Sequence, residues 1–192
     1  MSRPVTVVTS NPHKYDEIRA VLESYGLAVR HISLRLREPQ AESLEEVVRE
    51  KLGAVPRRAG YVVVDDSGVF LRGLGGFPGV YSAYAYRTIG LAGVLRLVAG
   101  RDRRATFRTV AGVRSGSQVW LCTGEVKGTI APRPRGRHGF GYDPIFIPRG
   151  ERRTLAERTR SEKNRVSHRG RAFAKVARSI LRLDKARTPA RR

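Results

Sequence analysis

The chain runs to 192 residues, 40% apolar and 29% charged, which is enough to bury one ordinary core and excludes a disordered or fibrous polymer. A single cysteine, Cys122, excludes an internal disulfide or a multi-cysteine metal site and suits a reducing, cytoplasmic compartment. Lys and Arg number 38 against 17 Asp and Glu, a net charge of +21 that favours nucleotides or nucleic acid as partners, although a solvated basic surface accounts for it as simply.

No apolar run approaches the roughly 20 residues of a membrane span, and Met1-Ser2-Arg3-Pro4 leads into a strand pattern rather than a signal peptide. Val5-Thr6-Val7-Val8 reads as a buried strand. Asn11-Pro12 reads as an N-cap followed by proline at the first helical position. Ile18, Val21, Leu22 and Tyr25 give that helix an apolar face, and Gly26 stops it. A second strand is expected over Ala28–Leu34. Ser43 and Glu46 form a capping box for a helix whose apolar face is Leu44, Val47, Val48 and Leu52. Tyr61–Val64 is another buried strand, followed by a glycine-rich loop from Gly73 to Gly79 and a helix near Ile89–Val98.

Thr106–Val113 and Gln118–Thr123 flank a Ser115-Gly116 turn as a hairpin, with Glu125–Ile130 extending its second strand. Pro132 to Gly141 reads as loop, and Phe173, Val176, Ile180 and Leu183 mark a closing amphipathic helix. Residues 149–192 hold 16 basic against 4 acidic side chains. No repeat or long linker divides the chain, so residues 1–186 are expected as one mixed-sheet α/β domain, with residues 187–192 a basic tail and Thr188–Arg192 disordered.

Four places break the local rules of folding and are therefore candidate sites. In Thr9-Ser10-Asn11-Pro12-His13-Lys14, a lysine occupies a helix start that favours acids. Hydroxyls, free N–H groups and the ammonium there make an anion site, most naturally for phosphate, though not a P-loop. Asp65-Asp66-Ser67 follows a buried strand, where ligand sites of open α/β sheets lie; neighbours in a strand point to opposite faces, so one aspartate enters the cleft and the other supports it. Such oxygen ligands suit Mg²⁺ when a substrate brings phosphates. Glu38 stands alone before the second helix and by itself reads as solvated surface. The fourth place joins Gly139-Phe140-Gly141-Tyr142-Asp143-Pro144, where an aromatic ring can stack on a base, to Ser167-His168-Arg169, where cationic donors open the last helix.

Taken together these segments resemble the inosine triphosphate pyrophosphatases, the Ham1-like family. The matching stretches are Thr9-Ser10-Asn11 with Lys14 and Glu17, Asp65-Asp66-Ser67-Gly68, Leu74 to Ser82, Gly139 to Phe146, and Glu162-Lys163-Asn164 with Ser167 to Gly170, in that order. The resemblance implies an elongated α/β domain of two lobes, a long mixed sheet flanked by helices, a central substrate cleft and a homodimer. It also implies Mg²⁺-dependent hydrolysis of ITP, dITP and XTP to monophosphate and pyrophosphate, which clears deaminated purines from the nucleotide pool. Carried over by position, Thr9, Ser10, Asn11 and Lys14 would hold the triphosphate, and Ser67 would touch substrate. Asp66 would act on the attacking water and, with Glu38, bind metal. Phe140, Gly141, Tyr142, Asp143, Lys163, His168 and Arg169 would line the base pocket.

Attack at the α-phosphorus needs charge neutralisation more than covalent chemistry, which Lys14, a helix N-terminus and Mg²⁺ supply. A cationic donor such as Arg169 favours the O6 and N7 acceptors of a 6-oxo purine over the amino group of adenine. Two other readings stay open: a nucleic-acid-binding module, on the charge, and a pyrophosphatase acting on dTTP or UTP.

Overall fold

Short β-branched runs build the centre of the sheet in the computed structural model, which describes residues 3–36 and 39–187. Strand β1 (Val5–Val8) leads into helix α1 (Pro12–Ser24), capped by Asn11 as its sequence predicts. Strand β2 (Val29–Ile32), helix α2 (Leu44–Ala54) and strand β3 (Tyr61–Leu71) follow. Both β2 and β3 pair with β1 in parallel, as helical crossovers require.

The rest of the sheet is antiparallel. Strand β4 (Pro78–Gly79) pairs with β3, and helix α3 (Ser82–Leu97) precedes a long hairpin of β5 (Arg104–Ser115) and β6 (Gln118–Ile130). Strand β7 (Phe146–Pro148) closes the order β2-β1-β3-β5-β6-β7, with β4 beside β3. Helices α4 (Arg160–Val166) and α5 (His168–Arg187) complete the seven-stranded α/β fold.

Alternation along β3 divides the upper core. Tyr61 and Val63 pack with Ile18 and Leu22 of α1 and Phe173, Val176 and Ile180 of α5. Val62 and Val64 pack on the other face with Leu44, Val48 and Leu52 of α2. A separate core of Val69, Val94, Phe107, Ile145 and Phe146 fills the lower lobe.

Several expectations shift. β3 does not end before Asp65 but carries both aspartates within it, because β5 pairs with it from Val62 to Leu71. α3 begins at Ser82, well before Ile89, and breaks at Gly90, whose φ of 61° and ψ of −175° only glycine adopts readily. The hairpin turns on Gly116 and Ser117, one residue later than expected, since Ser115 still pairs with Gln118. Only half of the capping box forms: Ser43 Oγ accepts from the Glu46 N–H, but the Glu46 carboxylate accepts from Glu42 N–H instead. Glu38 and the segment Thr188–Arg192 lie outside the described residues.

Candidate active site

The site sits where the sheet leaves one strand edge uncovered. β1 pairs with β3 only as far as Val7 opposite Val63, and β4 joins β3 at Val69. Asp65, Asp66 and Ser67 lie in the gap. The strand alternation continues through them, so Asp65 points to the α1–α5 face and Asp66 to the α2 face. Both nevertheless border one cavity of about 1080 Å³, which corrects the expectation that only one would enter the cleft. With no neighbouring strand there, both faces of β3 open onto the same space.

Lys14 projects from the first turn of α1 and places Nζ 3.3 Å from Asp65 Oδ2. Thr9, Ser10 and Asn11 line the cavity beside it. The first N–H groups of α1 are not free, however: Asn11 Oδ1 accepts from His13 and Lys14, and Thr9 Oγ1 accepts from Asn11. Positive charge at this end therefore comes from Lys14 and the helix dipole.

The adjacent carboxylates are driven apart. Burial pushes Asp65 up, but the charges of Lys14, Arg169 and Lys51 outweigh it and hold Asp65 down at about 2. At Asp66 burial wins over Lys14 and Lys51, and its pKa is raised. Lys51 Nζ donates to Asp66 Oδ1 at 2.7 Å. Lys51 was absent from the sequence-derived set, although it occupies the apolar face of α2 with Leu44, Val47, Val48 and Leu52, spaced at 3 and 4. A lysine in a buried helical stripe is the signal that could have found it.

A buried ion network supports the opposite wall. Glu17 Oε1 accepts from Lys163 and Glu17 Oε2 from Arg169, at 2.5 and 2.7 Å. Arg169 also donates to Asp65 Oδ2 at 3.2 Å and Ser67 Oγ at 2.9 Å, while Lys163 reaches Asp143 Oδ2 at 2.5 Å. Arg169 thus gives its Nε, Nη1 and Nη2 to protein acceptors, and it still borders the cavity. Lys163 lies behind the cavity, under the Phe140 ring at 4.7 Å, rather than lining it. Glu17 holds both cations and was given no role from sequence.

Phe140, Gly141, Tyr142 and Asp143 do border the cavity. The Asp143 carboxylate accepts from the Phe140 N–H at 2.7 Å, which bends the loop. His13 stacks on the Phe140 ring at 5.3 Å. Tyr142 is anchored, its hydroxyl donating to Ser82 O and its pKa pushed up to about 12 by burial. The exposed ring of Tyr86, 5.9 Å from Tyr142, adds an aromatic wall that sequence reasoning missed.

His168 is not the cation expected. Burial first, then the charges of Arg169, Lys163 and Lys14, hold it well below the usual histidine range, so it is neutral. Its ring stacks on Phe107 at 3.7 Å, and both ring nitrogens are buried without a partner among the described residues. Gly124 permits this: a Cβ there would lie 2.1 Å from His168 O, so only glycine lets α5 start against β6.

Among the described residues no three His, Cys, Asp or Glu side chains gather as a metal cage. Asp66 borders the cavity with hard carboxylate oxygens, of which Oδ1 accepts from Lys51, and this donor type fits Mg²⁺ shared with substrate phosphates. Cys122 is buried, and burial raises its thiol, which leaves it unsuited to nucleophilic attack.

This chain is 48% identical over 172 residues to the dITP/XTP pyrophosphatase of Thermococcus kodakarensis, covering 88% of this chain and 93% of that protein. It is 44% identical over 174 residues to the dITP/XTP pyrophosphatase of Pyrobaculum aerophilum, covering 90% and 93%. A HAM1 protein from Coxiella burnetii superposes with a TM-score of 0.76 at 28% identity, covering 93% of this chain and 99% of its own. The nucleoside-triphosphatase / dITP/XTP pyrophosphatase from Mycobacterium abscessus gives 0.65 at 35% identity, covering 90% and 97%. Residues 5–179 match the Ham1 family. Every segment that lines the cleft, from Val8 to Arg169, falls within that match, and so the chain belongs to the Ham1 family by its site as well as by its fold.

Proposed function

We propose that this chain hydrolyses dITP, XTP and ITP to the nucleoside monophosphate and pyrophosphate. The relatives named as dITP/XTP pyrophosphatases support the reaction. The observation that carries the chemistry is the neighbouring pair Asp65 and Asp66, one held at about 2 and the other raised, at the mouth of a cationic cleft. Environments that separate two carboxylates in this way assign their roles. Asp65 remains an ionised anchor for Lys14 and Arg169, and Asp66 is the base.

A water attacks the α-phosphorus, and its proton passes to Asp66. The bond from that phosphorus to the bridging oxygen breaks, and pyrophosphate leaves with the electron pair. Lys14 faces the developing charge, and Arg35 and Arg87 border the same cavity from opposite segments. Asp66, with Glu38 by its place in the sequence, would hold Mg²⁺, which neutralises phosphate charge when bound. The neutral ring of His168 offers one donor and one acceptor. The donor meets O6 of a 6-oxo purine but finds only an amino group on adenine, and that leaves a buried polar atom unmatched.

A homodimer is supported by Phe77, Tyr81, Tyr84 and Ile89, large apolar side chains that stay exposed around β4 and α3. No described helix is long and apolar enough to cross a membrane, and the cytoplasm, where nucleotides are pooled, is the proposed compartment. The deciding experiment is a nucleotide panel read by a pyrophosphate-specific assay, with and without Mg²⁺. Release of orthophosphate as the direct product would place the cleavage elsewhere.

A further inference from the structure

The last helix carries a second surface that the reaction does not use. Arg171, Lys175, Arg178, Arg182 and Lys185 recur along α5 at spacings of 4, 3, 4 and 3, and all five are exposed. That spacing places them in one stripe, opposite the buried face of Phe173, Val176 and Ile180. At 1.5 Å per residue the stripe is roughly 21 Å long. Its first three residues form one wall of a groove of about 1300 Å³, to which Arg108, Arg160 and Arg165 also contribute.

The stripe is not neutralised from within. Arg171 donates to Glu125 O, Lys175 to Thr123 O and Arg178 to the Tyr25 hydroxyl, all uncharged acceptors. Several basic residues elsewhere are paired with carboxylates, as Arg104 and Arg72 are with Asp102, and Arg160 with Asp16. Among the described residues no carboxylate forms a salt bridge with the five, although the Glu125 side chain borders the groove beside Arg108. The acceptors that hold the first three cations position their charge without cancelling it.

We propose that this stripe binds the phosphate backbone of a nucleic-acid duplex without reading sequence. A 21 Å stripe laid along a duplex covers an axial length that carries roughly a dozen phosphates, both strands counted at one charge per 1.7 Å, and those on the facing side suffice for five contacts. An anionic membrane fits less well, because the apolar side of α5 is buried in the core and cannot enter lipid. Single strands fit less well too, since the aromatic ring that borders the groove, Tyr25, is half-buried and its hydroxyl is held by Arg178, which leaves no row of open rings for successive bases among the described residues.

The test is fluorescence anisotropy of a labelled 20-base-pair DNA duplex across a salt series. Five phosphate contacts predict a slope of log K against log salt near −4.5, from about −0.9 per contact. The triple variant Lys175→Gln, Arg178→Gln, Arg182→Gln should bind at least tenfold more weakly, with a slope nearer −2, while hydrolysing dITP as before. A control with the same charge loss elsewhere, Arg133→Gln, Arg149→Gln, Arg152→Gln, should keep the wild-type slope. Equal weakening by both variants would reduce the effect to net charge and overturn the proposal. Tighter binding to phosphatidylserine vesicles or to a single strand than to the duplex would overturn it as well.

Discussion

Lys51 Nζ stands 2.7 Å from Asp66 Oδ1, so a cation buried on α2 is paired with a carboxylate at the cleft whose pKa burial has raised. The ammonium favours the ionised form and keeps Asp66 competent as a base despite its burial. Lys51→Met should therefore move the acidic limb of the kcat/KM profile to higher pH. An unmoved limb, or one that moves down, would mean that Asp66 is not the titrating group.

Asp66→Asn should leave the protein folded and lower kcat by about 10² to 10⁴, the range for loss of a positioned acid–base group. Asp65→Asn should act mainly on KM and stability, because Asp65 anchors Lys14 and Arg169. Steady-state kinetics with circular dichroism separates the two. A larger kcat loss at Asp65 would reverse the assignment.

Glu17 accepts from both Lys163 and Arg169 in a fully buried setting. Glu17→Gln strands those charges and should cost about 3–5 kcal/mol, the usual penalty for removing one partner of a buried pair. Urea denaturation reads this directly. A variant as stable as wild type would show that the network tolerates losing its acceptor.

Acid should act on stability through Asp65. Its folded pKa of about 2 lies below the ordinary 3.8, so its contribution is complete above 3.8 and is lost as pH falls towards 2. The shift corresponds to about 2 kcal/mol. Asp66 and Asp143, both raised by burial, act in the opposite sense at higher pH. Denaturation midpoints between pH 5 and 2 should fall steeply only at the acid end, and Asp65→Asn should flatten that fall.

Base selection should depend on His168 more than on Arg169. His168→Phe keeps a ring against Phe107 but removes both nitrogens, and should shrink the ITP-to-ATP ratio of kcat/KM by about ten- to a hundred-fold. Lys14→Ala should weaken all nucleotides about equally. An unchanged ratio in His168→Phe would place selection in the loop from Phe140 to Asp143.

Local rules carried much of this protein. The runs at Val5 and Tyr61, the Asn11-Pro12 start and the hairpin near Ser115 depend on contacts a few residues apart, and they form where their patterns predict, although the Tyr61 strand runs further and the hairpin turns one residue later. Even the opposite facing of Asp65 and Asp66 follows from strand alternation. The two aspartates share one cleft, however, because β1 stops short and β4 joins late, and no local pattern records where neighbouring strands end. Lys51 sat in plain view on an apolar stripe, but its partner lies on another element. Glu17 and Arg169 meet across 152 positions of chain, and their pairing fixes Arg169 in the buried wall of the cleft. His168 reads as a cation in the sequence and is neutral in the fold. Strand and helix periodicity act over a few residues, whereas burial and ionisation depend on which distant segments exclude water from a group, and only the tertiary structure decides that.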